Sequence, residues 1–162
     1  MKVSYSWIKD YLNVDISAEE CARLLTDTGL EVEGIQEVES VRGGLKGLVV
    51  GEVLACEKHP NADRLQKTTV DIGAETLQIV CGAPNVAAGQ KVVVATVGTT
   101  LYDDKGDSFK IKKGKIRGEA SVGMICGADE IGVGAADGGI MVLDESVKAG
   151  TEASDYLSLI HI

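Results

Sequence analysis

The segment from Leu48 to Lys58 constrains this chain more than any other: Leu48, Val50 and Leu54 alternate with Val49, Val53 and Ala55, so both faces are apolar. A strand of that kind is expected to be covered on two sides. Thr68, Val70 and Ile72 alternate up to Gly73-Ala74, and Leu77, Ile79 and Cys81 alternate beyond it, which predicts a hairpin with a short glycine-containing turn. Lys91 to Val97 supplies a further strand after Gly89. Phe109 and Ile111 share a face, with Phe109 expected in the core, but Ile116 breaks the two-residue period and places a bulge at Gly114. Strands continue through Val122 to Ile125, and Ala128 to Ile131 reads as one helical turn. Five or six short strands with glycine-rich turns and little helix predict a small closed barrel.

The flanks read differently. Ser4 caps a short helix through Leu12, with Trp7, Ile8, Tyr11 and Leu12 on one face. Ser17 followed by Glu20 is a capping box; Cys21, Leu24 and Leu25 give the apolar stripe, and Gly29 stands where a left-handed C-cap is wanted. Leu30 to Val38 is expected to form a strand, and Gly43-Gly44 and Gly47 mark a flexible join. Thr151 or Ser154 caps a last helix through Leu157 to Ile160. The expected fold is therefore mainly β with flanking α/β structure, and the barrel at this size is best matched by an OB fold.

Composition removes several classes of function. A chain of 162 residues that is 44% hydrophobic holds one core, or a core and a small satellite. Its longest apolar run, Val92 to Val97, is too short to span a bilayer, and Lys9 and Asp10 interrupt the N-terminal segment, so a soluble, cytoplasmic chain with no membrane partner is expected. The four cysteines, Cys21, Cys56, Cys81 and Cys126, lie far apart without a C-x-x-C pair, which suits reduced, buried thiols rather than a disulfide framework or a metal site. No phosphate-binding P-loop, dinucleotide fingerprint or G-x-S-x-G elbow occurs, so no catalytic residue is assigned.

The formal net charge of -9 speaks against a nucleic-acid partner until its distribution is followed. From Leu48 to Cys126 there are ten Lys and Arg against nine Asp and Glu, whereas the flanks hold six against sixteen. Within the balanced part, Lys110, Lys112, Lys113, Lys115 and Arg117 form a basic run with no acidic residue from Phe109 to Gly118. Four lysines and one arginine suit backbone positioning better than base reading. Tyr102 and Phe109 are the only aromatics between Leu48 and Cys126, too few for a general single-stranded DNA binder that stacks bases on rings, so no DNA partner is expected.

Other candidates surround this run. His59-Pro60-Asn61-Ala62-Asp63-Arg64-Leu65 is a turn by its own chemistry, since Pro60 fixes φ and Asn61 and Asp63 bond backbone neighbours. His59 and Asn61 are candidate RNA contacts there, and Lys58, Arg64 and Lys67 extend the basic surface to it. Gly82-Ala83-Pro84-Asn85 is a tight turn first and, through Asn85, an RNA contact second. Ser121 is a candidate donor to phosphate or ribose, and Met124 is either core filler or a soft contact to a base.

The stretch Lys58 to Leu65, the segment Ile79 to Asn85 and the run Arg117 to Met124, with Ser121-Val122-Gly123-Met124 as its Ser-x-Gly-Met pattern, together resemble the tRNA-binding OB domain of bacterial phenylalanyl-tRNA synthetase β subunits. Ser4 to Leu12 and Thr28 to Glu33 extend the resemblance to the N-terminal flank. It implies that residues 1–40 with 150–162 form part of a small α/β domain into which the OB domain, 41–149, is inserted, with the Trp7 and Leu24 faces meeting Tyr156 and Leu157. It further implies a piece of a larger enzyme, a phenylalanine-tRNA ligase whose partners are tRNA, the α subunit and the remaining β-subunit domains. ATP and magnesium would act at the level of the whole enzyme, with no cofactor in this piece. Two other readings stay open: an assembly module with little RNA contact, and a free-standing RNA-binding OB protein.

Overall fold

The computed structural model describes residues 2–36, 41, 43, 45–102 and 107–160, with side chains described as far as residue 157. The chain divides into two compact units, Met1–Val38 and Glu39–Ile162.

The first unit contains two capped helices. In α1, Tyr5–Tyr11, the Ser4 hydroxyl accepts from the Trp7 amide, and the rings of Trp7 and Tyr11 pack edge to face with centroids 5.3 Å apart. In α2, Ala18–Asp27, the Ser17 hydroxyl accepts from the Glu20 amide at 3.1 Å. The Glu20 carboxylate does not complete the capping box; it pairs with Arg23 one turn on, and Arg23 also reaches Asp27. Gly29, at φ +96°, ends α2: its amide donates to the Thr26 carbonyl while the Leu30 amide donates to that of Leu25, a Schellman motif. The strand expected from Leu30 is not formed over residues 30–36, for which there is no ladder partner among the described residues; residues 37 and 38 lie outside the described part. Apolar alternation without a second strand leaves backbone groups to solvent.

The second unit is built round β1, Leu48–Lys58, which is covered on two sides as far as Val53, as its sequence led one to expect, and is partly exposed beyond it. Antiparallel neighbours are β2, Gln66–Asp71, paired along its C-terminal half, and β4, Lys91–Ala95, paired along its N-terminal half. β3, Thr76–Cys81, completes the predicted hairpin with β2. Leu48 and Val50 face one core with Val93, Leu101, Ile111 and Cys126. Val53 faces a second with Val70, Ile79, Val92 and Val94. Leu54 departs from the expected alternation because the ladder to β2 shifts register between Val53 and Ala55, and this bulge turns Leu54 outward, 52% exposed. Gly51 sits where strands cross: a Cβ there would lie 2.6 Å from Val70 Cγ1 and 2.8 Å from Val94 Cγ2.

Four short strands follow: β5, Thr100–Tyr102; β6, Ser108–Lys110; β7, Gly114–Ile116; and β8, Glu119–Ser121. β9, Met124–Ile125, pairs with β4. The sheet closes from β3 to the β8–β9 segment, where the Val122 amide donates to the Gln78 carbonyl at 2.8 Å and Gln78 Nε2 donates to the Ala120 carbonyl at 2.9 Å. The resulting order β1-β2-β3-(β8/β9)-β4, back to β1, is a small, nearly closed barrel. Residues 128–131 make turns rather than a helix, and β10, Val142–Leu143, adds to the free edge of β4.

The segment after β10 returns to β1. The Val50 amide donates to the Thr151 carbonyl at 2.8 Å and the Gly150 amide to the Val50 carbonyl at 2.7 Å, which pins Thr151 in extended backbone. α3 therefore starts at Ala153, between the two caps expected from sequence, and its Leu157, 1% exposed, enters the first core. Among the described residues no helix is long and apolar enough to cross a membrane.

Candidate nucleic-acid interface

The basic run lies on β6, the link after it, and the β7–β8 hairpin. Gly114 is not a bulge: it opens β7 opposite Ser121, and Lys115↔Ala120 and Ile116↔Glu119 follow in uninterrupted register. The change of face that suggested a bulge arises because β6 and β7 are separate strands belonging to different hairpins. Arg117 and Gly118, at φ +49° and +97°, form the two-residue tip of the second hairpin. Two successive left-handed residues match the twist of a tight hairpin, and Arg117 accepts that strain without being glycine.

The loop after β1 holds this tip in place. His59 is only 3% exposed, and its ring bridges two elements: Nδ1 accepts from the Asn61 amide at 3.0 Å, which leaves Nε2 as the donor to the Ile116 carbonyl, also 3.0 Å. Asn61 Nδ2 donates to the Arg117 carbonyl at 3.3 Å. The histidine and asparagine singled out as candidate contacts thus spend their polar atoms on positioning the hairpin that presents Arg117.

Ser121 is likewise inside: its hydroxyl accepts from the Val80 amide at 3.1 Å and donates to the Gly123 carbonyl at 3.3 Å, helping to close the barrel. Asn85 clasps Ile140, accepting from its amide at 2.9 Å and donating to its carbonyl at 3.0 Å. Gly139 passes so close that a Cβ on it would lie 2.6 Å from Asn85 Oδ1. Met124 is half-buried against the first core. Phe109 does not join that core; it lies 43% exposed on the short β5–β6 ribbon, which has too little sheet behind it to cover both faces.

The cations are differently placed. Lys110, Lys112, Lys113, Lys115 and Arg117 are all exposed, and among the described residues no carboxylate oxygen lies within 4.0 Å of their charged nitrogens. Arg64 is also exposed and outside any such pair. Lys58 meets Asp63 at 3.6 Å and Lys67 meets Glu57 at 3.6 Å. Both contacts are solvent-exposed and weak. Lys110, Lys112 and Lys115 converge on one cleft of about 650 Å³, whose lining includes Ile111, Ile125 and Ile140 as well as Asp129 and Glu130. No motif flagged the two carboxylates in the sequence, where they stand among many acidic residues.

Burial disfavours the thiolate form at three cysteines. Burial pushes Cys126 up to about 12, with the Glu130 carboxylate adding to the effect, and burial also raises Cys81 and Cys56. Cys81 and Cys126 are buried and serve as small hydrophobes, whereas Cys56 is half-buried and its thiol donates to Gln66 Oε1 at 2.7 Å.

A barrel whose cationic rim meets no carboxylate within 4.0 Å among the described residues has the charge and shape of a nucleic-acid-binding module. Residues 48–152 match the family described as "Putative tRNA binding domain", and the chain belongs to that family. Over 161 residues, 98% of this chain, it is 58% identical to the phenylalanine-tRNA ligase beta subunit of Bacteroides fragilis. It is 46% identical over 170 residues to the same subunit of Bacillus cereus. The chain spans 19% of the first relative and 20% of the second. Among solved structures, a MetRS related protein from Pyrococcus horikoshii is similar over 65% of this chain and 87% of its own, with 25% identity and a TM-score of 0.48.

Proposed function

We propose that this chain is the tRNA-binding N-terminal part of a phenylalanyl-tRNA synthetase β subunit, supporting aminoacylation by holding the tRNA backbone. Lys110, Lys112, Lys113, Lys115 and Arg117 are the phosphate contacts, with Arg64 beside them and Lys58 and Lys67 at the margin. The observation that carries this reading is that, among the described residues, no carboxylate oxygen comes within 4.0 Å of those five cations, in a chain of net charge -9. Exposed cations left unpaired release counterions when phosphate docks. His59, Asn61, Asn85 and Ser121 act through structure, fixing where the cations stand. Among the described residues no three His, Cys, Asp or Glu side chains converge on a metal position, so no step through magnesium or ATP is assigned to them.

The Met1–Val38 unit favours a second, protein-facing role. Trp7, Tyr11 and Leu12 are 57%, 75% and 54% exposed, an apolar surface suited to the remaining β-subunit domains or the α subunit. Titration of tRNA against the chain with Lys112, Lys113, Lys115 and Arg117 all changed to alanine separates the two roles. Affinity should drop, and the slope of log K against log salt should flatten by about 3, as removal of four phosphate contacts requires. Unchanged binding in that variant removes these residues from the role. A parent chain that binds no tRNA at low salt yet associates with the α subunit decides for assembly alone.

A further inference from the structure

Phosphate contact leaves part of the cationic cleft unexplained. A surface that only follows a ribose-phosphate backbone needs positive charge and nothing else, and carboxylates close to it weaken the attraction. Here the cleft combines three kinds of chemistry. The β6–β7 segment contributes Lys110, Lys112 and Lys115; Ile111, Ile125 and Ile140 contribute apolar surface; and the segment after β9 contributes Asp129 and Glu130. Cations and anions share one lining, yet among the described residues no N···O pair within 4.0 Å joins them. They line one open cleft of about 650 Å³, a volume in the range of small-ligand sites.

The acidic part is built rather than incidental. Glu130 Oε2 accepts from the Gly127 amide at 2.7 Å, which anchors the turn. Asp129, in the same turn, makes no side-chain hydrogen bond or ion pair within the described residues. The next wall, Gly138 to Ile140, is fixed by the Asn85 clasp.

An occupant that satisfies all three chemistries has a phosphate at one end, a flat apolar body, and hydrogen-bond donors at the other. We propose that the cleft takes one unstacked nucleotide of the bound RNA, its phosphate on the lysines, its base on the isoleucine surface, and an exocyclic amine donating to Asp129. Adenine, cytosine and guanine carry such an amine and uracil does not; carboxylates read cytosine N4 in this manner elsewhere, and RNA is read by sequence through bases splayed out of the stack. The inference rests on the tRNA reading but adds base discrimination, which backbone contacts cannot supply.

Free nucleotides test it directly. AMP, CMP and UMP are titrated against the 162-residue chain, with tRNA titrated in parallel across a salt series. AMP and CMP should bind about tenfold more tightly than UMP, the effect of one charge-assisted hydrogen bond. Asp129→Ala should abolish that preference. Gly114→Val places bulk at the cleft from a strand position where a Cβ meets nothing within 4 Å, and should weaken all three nucleotides together. Equal binding of AMP and UMP to the parent, or a preference that survives Asp129→Ala, overturns the proposal. A tRNA affinity indifferent to salt with nucleotide preference intact overturns the backbone reading instead.

Discussion

Replacement of His59 tests whether the loop after β1 acts by positioning the cationic hairpin. The imidazole closes two bonds at once, to the Asn61 amide within its own loop and to the Ile116 carbonyl 57 residues away in sequence. Truncation to alanine removes both and returns the Asn61 amide and the Ile116 carbonyl, on residues that solvent reaches, to water. Each net hydrogen bond is worth about 1 kcal/mol, so a local loss of about 2 kcal/mol is expected. Two conservative variants divide that loss. His59→Asn keeps an acceptor near the Nδ1 position but cannot reach Ile116; His59→Gln reaches the Nε2 position with a donor but gives up the bond inside the loop. Hydrogen exchange at the amides of residues 114–121 should accelerate on the order of thirtyfold in His59→Ala, nearly as much in His59→Asn, and much less in His59→Gln. Affinity for tRNA should follow the same rank, because a mobile tip must be ordered when it binds. Equal exchange in Asn and Gln variants, or hairpin protection unchanged in all three, would refute the assignment of His59 as the link between loop and hairpin.

Two further outcomes follow from the packing. Gly139→Ala should break the Asn85 clasp, since its Cβ would stand 2.6 Å from Oδ1; stability should fall by about 2 kcal/mol. Asn85→Ala should lose a similar amount, and the double variant, measured by denaturant unfolding, little more than either alone; additive losses would show that the two residues act separately. Cys126 has a native pKa raised from 9.0 to about 12 by burial. Since the unfolded thiol ionises first, its contribution to stability is intact below pH 9 and declines from pH 9 toward 12. At pH 8 a thiol reagent should modify Cys126 only as fast as the barrel opens, and rapid labelling of the folded chain would contradict its burial.

Legibility followed the range of the interactions. Ser17, Glu20 and Gly29 announced α2 and its ends because caps are decided within a turn of chain. Leu48 to Lys58 announced the central strand because apolar residues on both faces leave few alternatives. The Leu54 bulge, the exposed Phe109 and the missing strand at residues 30–36 were not legible. Each depends on which neighbour pairs with the segment, and alternation is silent about that. The basic run was read correctly as a charge pattern, but the roles of His59, Asn61, Asn85 and Ser121 emerged only when their polar atoms were found engaged across gaps of 41 to 57 residues, their own turns apart.

By itself, then, the sequence determined a barrel-forming strand pattern, two capped helices and a local excess of positive charge against an acidic whole. Those properties are written in nearest neighbours and composition. Of the four cysteines expected to be buried, Cys21 and Cys56 are only half-buried. Tertiary structure alone decided that the five cations form no ion pair within 4.0 Å among the described residues, that a buried imidazole fixes the arginine-bearing tip, and that three lysines and two acids line one cleft. Coulomb energy and hydrogen bonding depend on distance in space, and chain closure sets that distance by joining β3 to the β8–β9 segment.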